Sequence, residues 1–435
     1  MRSDAAGLPV AIVGGGFSGT MTAVQLARRG VRSVLLDGGG RMHRGVAYST
    51  AEPAHLLNVP SGKMSAWPDR AGHFAQWLGD DGTSFAERRG FGRYVEGIAL
   101  AHDALIERRE QGASAASPAD GGWQIELADG SVVQASALVL ASGNQPPAPM
   151  RVAEDAGALF VNNPWSQEAA AVVARIAEDG GDVLILGTGL TMIDTVLSLA
   201  AAGHKGRVLA LSRRGLLPRS HAPHQPFAAA MEEVPAGKVL PLWRWLRRRS
   251  ADVGFRAAVD SLRPHSQALW QAFPPAEQRR FLRHARPWWD VHRHRIAPQI
   301  GEQLATRVAD WGLEIVAGRL RLLQADGDGL AATIMPRGSI EPLHRRFAAT
   351  FNCTGPLGDI KRTRDPLLRQ MLSGGLVRPD ELGMGLAVDE RSRAGSNAWA
   401  VGPLTKGCFW EIVAVPDIRG QAEAVAADIV RELTR

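Results

Sequence analysis

A chain of 435 residues is too long for one ordinary hydrophobic core and calls for two domains, or three. Its two cysteines, Cys353 and Cys408, lie far apart and exclude a disulfide scaffold, a Cys-x-x-Cys redox pair and cysteine-bound zinc. The net charge of +6 concentrates in residues 244–295 with no nucleic-acid motif beside it, which points to anionic small molecules rather than nucleic acid, and no apolar run is long enough to span a bilayer.

The first elements arrive at once. Val10 to Val13 reads as a short buried strand, with no apolar leader before it, so a cytoplasmic protein without a membrane segment is expected. Gly14, Gly16 and Gly19 follow as Gly-x-Gly-x-x-Gly, then helical spacing through Met21, Val24, Gln25 and Ala27, then a second strand at Val34-Leu35-Leu36. The first glycine allows a tight turn, the second a close backbone approach to a pyrophosphate, and the third close helix–strand packing. Phe17 and Ser18 open a helix whose N–H groups face the phosphates. Asp37, at the end of the second strand, stands where an acid accepts from a ribose hydroxyl. The pattern alone admits NAD or FAD; its place at the N-terminus ahead of a second such unit favours FAD.

Residues 38–95 read as loops and short helices, 96–111 as helix, and 112–122 as a turn. A hairpin follows at 123–127 and 131–133 around Asp129-Gly130, and Leu138 to Ala141 is a buried strand ending in Ser142-Gly143. A second strand–glycine turn–helix–strand unit starts at Asp182. Gly187, Gly189, Leu190 and Thr191 form its turn, with Met192 in the third glycine position. Ser212, Arg213 and Arg214 then occupy the place where an NAD site carries an acid. Arginines there suit the 2′-phosphate of NADPH, although they also read as ordinary surface charges.

Residues 215–300 show no strand pattern and read as a mostly helical insertion rich in Arg, Trp, Pro and His. Within it, 283–295 has three readings: a substrate lid, a nucleic-acid surface, or a basic helix with its Trp residues packed inward. His221, His224, His292 and His294 lack the partners of a metal set. Thr354-Gly355 reads as a later counterpart of the Ser142-Gly143 turn. A strand at 399–401 and a helix from about 417 to 433 close the chain, with Asp417 as the helix N-cap. Trp410 and Glu411 edge the loop before it.

The segments Arg44-Gly45-Val46-Ala47-Tyr48-Ser49, His55-Leu56-Leu57-Asn58-Val59-Pro60, Leu186 to Asp194, Leu211 to Gly215 and Arg286 to Arg293 carry a resemblance. The chain resembles the YdhS-like bacterial FAD/NAD(P)-binding proteins over nearly its whole length, and more distantly the class B flavoprotein monooxygenases. The resemblance implies FAD and NADPH as cofactors, with Arg44, Tyr48, Leu57, Ser142, Gly143, Thr354, Gly355, Gly402, Asp417 and Ile418 joining the glycine loops in contacting them. Asn58-x-Pro60-x-x-x-Met64 is similar to a monooxygenase stretch lining the flavin ring, where the Asn holds the reduced flavin and its oxygen adduct. That makes Asn58 the catalytic candidate; the other reading is a turn cap. The stretch Phe160 to Trp165 lacks the Gly and His of the class B linker fingerprint.

The expected fold is therefore α/β: two Rossmann-like dinucleotide-binding domains in a glutathione-reductase-like FAD/NAD(P) arrangement, with the helical insertion. The expected domains are 1–165 plus 345–435 for FAD, and 180–344 for NAD(P), including 215–300. The expected activity is an FAD- and NADPH-dependent monooxygenase of a small organic substrate, amine- or carboxylate-bearing, using O2. The alternatives are a flavin reductase or dehydrogenase without oxygen insertion, and a flavin-binding regulatory protein without turnover. No metal, nucleic-acid or membrane partner is expected.

Overall fold

The computed structural model describes residues 7–310 and 312–435. Strand β1 (Val10–Val13) is buried at all four positions, as a strand covered on both faces must be. Helix α1 (Phe17–Ala27) follows, then β2 (Ser33–Leu36), the short α2 (Gly45–Tyr48), α3 (His73–Leu78) and α4 (Arg88–Leu100). The region expected as one helix over 96–111 divides: α4 stops at Leu100 and β3 (Ile106–Arg109) pairs in parallel with β2. The stretch expected as a turn is a strand, β4 (Ala113–Ala119), antiparallel to β5 (Gly122–Leu127), which pairs with β6 (Val132–Ala135). Alanine and serine gave no strand signature there; pairing to β5 supplied it.

Next come β7 (Ala137–Leu140), β8 (Phe160–Val161), α5 (Gln167–Asp179), β9 (Val183–Leu186), α6 (Leu190–Ala201) and β10 (Val208–Ser212). The insertion is helical: α7 (Val239–Val253), α8 (Phe255–Ser261), α9 (Ser266–Ala272), α10 (Pro275–Arg280) and α11 (Arg286–Arg293), the last two joined by one π-helical turn at Phe281–Ala285. Helix α12 (Pro298–Ala309) returns to the second unit. It precedes β11 (Leu313–Asp326), β12 (Gly329–Pro336), β13 (Leu343–Phe347), β14 (Ala349–Asn352), α13 (Pro366–Ser373), β15 (Arg393–Gly395), β16 (Ala398–Ala400) and α14 (Val415–Leu433).

The first sheet has the order β15-β16-β7-β1-β2-β3, parallel except at β15, so the two ends of the chain share it. One face packs α1, α4 and α14; the other packs the β4-β5-β6 meander and α13. The second sheet has the order β13-β12-β11-β10-β9-β14-β8. Both β8 and β14 belong here: β14 pairs in parallel with β9 on one side and β8 on the other, and is wholly buried. Residues 345–352 and 160–161 therefore lie in the second sheet, not in the first unit as the expected boundaries had them. An apolar strand of four residues suits either sheet equally, and register alone decides between them. No helix among the described residues is long and apolar enough to cross a membrane.

Helix α14 is anchored by Asp428, which is 1% exposed. Its carboxylate accepts from Arg393 Nε at 2.7 Å, Trp399 Nε1 at 3.0 Å and Arg431 at 2.8 Å. Burial raises its pKa, but these donors outweigh it and hold the carboxyl well below the usual carboxylate range. Replacing Asp428 by Ala strands the indole N–H of Trp399 and the Nε edge of Arg393, whose other edge keeps Glu432. The expected loss is about 3 kcal/mol of stability, read from the urea midpoint at unchanged slope.

Candidate active site: two glycine cradles and the segment between them

The first cradle is built by close backbone approach. Gly14 has φ +110°, and a Cβ there would lie 2.4 Å from the Ala141 carbonyl oxygen; one at Gly19 would lie 1.9 Å from the Gly14 oxygen. Gly16 precedes the first turn of α1 and no side chain caps it, which leaves the turn's N–H groups to a ligand. Phe17 and Ser18 are buried behind that turn. Asp37 stands at the rim, accepting from Gly15 N at 3.4 Å and Arg41 N at 3.0 Å.

The loop after Asp37 folds back onto the cradle. Gly45, at φ +56°, comes so near that its Cβ would lie 2.9 Å from Gly16 Cα. His43 holds this turn from inside. It is 3% exposed and left-handed at φ +66°, its Nδ1 is 3.3 Å from Thr20 Oγ1, and its Nε2 accepts from Arg108 Nε at 2.7 Å. Arg44 pairs with Glu96 at 2.6 Å. Tyr48 packs on Phe91 at 4.7 Å, and burial pushes its phenol up to about 12.

Ser142 and Gly143 leave β7 directly opposite Gly14, with Gly143 at φ +70°. From the C-terminal end, Gly402 at φ +74° reaches the same place: a Cβ on it would lie 2.3 Å from Ser18 Oγ. Ile418 is buried in the first turn of α14. Asp417 is not the N-cap expected of it. Ala414 precedes the helix, and the Asp417 carboxylate turns aside to pair with Arg263 of the insertion at 3.2 Å. Burial raises its pKa.

The second cradle repeats the first. Gly187 has φ +112°, and its Cβ would lie 2.3 Å from the Cys353 oxygen and 3.2 Å from Thr354 N. Thr354 and Gly355 therefore stand to Gly187 as Ser142 stands to Gly14, beside the second loop rather than the first. Gly189 precedes α6 without a side-chain cap, followed by Leu190 and Thr191. Met192, in the third glycine's place, is fully buried in the second unit's core. Ser212 is taken up in a turn with Thr188 Oγ1 at 2.9 Å and Gly215 N at 3.0 Å. Arg213 is exposed and Arg214 half-buried, and among the described residues neither meets a carboxylate. Both cradles present the uncapped helix N–H groups that a dinucleotide pyrophosphate needs.

Between the cradles runs the segment 54–58. Leu57 is buried and its N–H donates to Ala86 O at 2.8 Å. The Asn58 carbonyl accepts from His221 Nε2 of the second unit at 2.9 Å, while the Asn58 amide makes no hydrogen bond among the described residues. A turn-capping role thus has no bond to carry it. His221 was weighed in the sequence only as a metal ligand. Its true contact, like those of His55, Arg88 and Asp194, joins distant segments and had no local signature.

The 283–295 segment buries Trp289, while Arg283, His284 and Trp288 face outward. Trp289 Nε1 donates to Glu411 Oε1 at 2.7 Å and Arg293 Nε to Glu411 Oε2 at 3.1 Å. Arg286 pairs with Asp290 at 3.2 Å, and Arg295 with Asp260. Trp270 stacks on Trp410 at 4.7 Å. These cations already hold carboxylates of the chain, which removes them as free receptors for a substrate carboxylate.

Residues 11–145 match the family model described as FAD-NAD(P)-binding. An uncharacterized protein of Mycobacterium tuberculosis is 25% identical over 365 residues, 74% of this chain and 67% of that protein. The ornithine N-hydroxylase of Kutzneria sp. 744, solved with reduced FAD, NADP+ and L-ornithine, superposes at a TM-score of 0.68 with 15% identity, over 98% of this chain and 99% of that one. The thioredoxin reductase of T. acidophilum superposes at 0.56 with 13% identity and the same coverage. These likenesses show the fold: the α/β, doubly Rossmann-like architecture of FAD/NAD(P) flavoproteins.

His43 gives the first cradle a pH dependence. Burial, with Arg108 beside it, lowers its pKa from 6.5 to about 4. The folded chain holds it neutral, so acid protonates the unfolded chain first. Stability is therefore full above pH 6.5 and falls as pH drops from there to about 4, by about 3 kcal/mol. Thermal melts across that range should show the loss, and His43→Gln should flatten it.

Proposed function

We propose that the chain is an FAD-dependent, NADPH-utilising monooxygenase of a small organic substrate, amine- or carboxylate-bearing, of the YdhS-like group. The observation that carries this reading is Asn58: an amide without a protein partner among the described residues, on a segment held to His221 and to the helix that opens the second cradle. FAD in the first cradle would supply hydride acceptance from the nicotinamide and, once reduced, the reaction with O2.

The chain's own residues do the rest. Gly14, Gly16, Phe17, Ser18 and Gly19 bring backbone and helix dipole to the FAD pyrophosphate, and Asp37 takes the ribose. Arg44, Tyr48, Leu57, Ser142, Gly143, Gly402 and Ile418 wall the cofactor and exclude water. Gly187, Gly189, Leu190 and Thr191, with Thr354 and Gly355, receive the NADPH pyrophosphate. Arg213 and Arg214 pair with the 2′-phosphate; Ser212 shapes their turn. Asn58 presents amide donors and acceptors toward the flavin ring, where a fixed dipole in a dry site stabilises developing charge.

The second reading is an NADPH-dependent reductase without oxygen insertion, which the thioredoxin reductase fold brings to mind. Its disulfide-exchanging form lacks a reactive thiol pair here. Cys353 is buried with its thiol pushed up to about 12, and burial also raises the thiol of the half-buried Cys408. A flavin-binding regulatory protein without turnover is the third reading, and reduction by nucleotide decides against it.

The deciding experiment mixes the FAD-loaded protein with NADPH without oxygen, then with oxygenated buffer. The flavin should bleach and then reoxidise slowly; Asn58→Ala should bleach as before but reoxidise about tenfold faster, releasing hydrogen peroxide. Rapid reoxidation of the unsubstituted protein favours the reductase, and no bleaching by NADPH or NADH sinks both enzyme readings. The nucleotide preference is checked separately. Replacing Arg213 and Arg214 by Ser should weaken NADPH about tenfold per arginine and leave NADH unchanged, measured by titration.

A further inference from the structure

A buried ion pair ties the helix that opens the second cradle to the first unit. Asp194 lies one turn into α6, the helix that opens the second cradle, with its side chain 8% exposed. A carboxylate so placed needs a partner, and the partner comes from the other unit. Arg88, the first residue of α4, grips it with two N–H groups at 2.9 and 3.0 Å, its own side chain 11% exposed.

The third donor of the same guanidinium leads toward the flavin side. Arg88 Nε donates to the Leu56 carbonyl at 3.0 Å, and Arg88 N donates to the His55 carbonyl at 2.9 Å. The His55 ring completes the ring of contacts: Nε2 lies 2.9 Å from Asp194 O and 3.0 Å from Ser198 Oγ, both on α6, while Nδ1 lies 2.8 Å from Thr50 Oγ1. Ala54, Leu56 and Phe85 pack against the apolar core of the second unit, beside Leu190. The segment that ends at Asn58 is thus fastened to the helix that begins at Gly189.

We infer that Arg88 and Asp194 form a positioning clasp that sets the distance between the nicotinamide and the flavin, so that hydride transfer proceeds without rotation of one unit against the other. The inference rests on the NADPH–FAD reading above. A planar fork bound on both edges fixes orientation as well as distance, which a point charge does not. A lysine at position 88 would keep the charge and lose both the second bond to Asp194 and the tie to Leu56.

The test compares the unsubstituted protein with Arg88→Lys and with the double variant Arg88→Met/Asp194→Leu, which removes both charges and leaves neither stranded. Two readouts are taken. In the cofactor-free chain, hydrogen exchange of the amides of 54–58 and 190–198 should quicken about tenfold in both variants, with the rest unchanged. In the FAD-loaded chain, anaerobic bleaching by saturating NADPH should slow about tenfold or more, while flavin content and the NADPH dissociation constant hold. Unchanged bleaching in both variants, beside normal bleaching of the unsubstituted protein, overturns the clasp and leaves the functional reading intact. If neither nucleotide bleaches the unsubstituted protein, that reading falls and this inference with it.

Discussion

The constraint on which the molecule depends is the contact between the end of a strand and the start of the helix after it. At Gly19 the two come so close that one added carbon would sit 1.9 Å from the Gly14 carbonyl oxygen. That approach turns the helix N-terminus inward, where its free N–H groups and dipole make an anion site without any charged side chain. The chain does this twice, and each time a second strand end crosses the glycine: Ala141–Ser142 over Gly14, Cys353–Thr354 over Gly187. Much else in the fold serves to hold these four strand ends in place.

The first cradle is reinforced by segments from far along the chain. The turn at 41–45 is pinned by a neutral, buried His43, and Gly402 brings the C-terminal loop against Ser18. Helix α14 is fixed behind them by the cluster around Asp428. The contacts of His43 and of Asp428 satisfy polar groups that would otherwise be buried alone. The insertion adds a cap over the loop before α14, through Glu411 with Trp289 and Arg293, and through Trp270 on Trp410. Arg263, Arg293 and Arg295 of the insertion are thereby taken up by carboxylates of the chain. The basic excess seen in the sequence is partly an internal matter of ion pairs.

Between the cradles the chemistry of joining is different. Two Rossmann-like units can rock against one another unless their interface is large or specific. Here the interface carries a bidentate pair, a histidine bridging to a helix carbonyl, and a first-unit segment inserted into the second unit's core. The segment carrying Asn58 lies at that junction. Among the described residues its amide has no protein partner, while its backbone carbonyl is held by His221.

The sequence by itself determined the two glycine turns, their strands and helices, Asp37 at the first rim and Arg213-Arg214 at the second, because each of these acts through residues a few positions apart. It also determined that 215–300 is mostly helical. It did not assign β14 to its sheet, since an apolar run of four residues carries no register, nor reveal β4, whose alanines and serines become a strand only beside β5. It placed Asp417 as a cap because a helix was due there; an arginine 154 residues away decided otherwise. Only the tertiary structure could set Arg88 against Asp194, 106 residues apart, and His221 against Asn58, 163 apart. A buried polar group is satisfied by whatever the folded backbone brings within 3 Å, and that choice has no trace in local spacing.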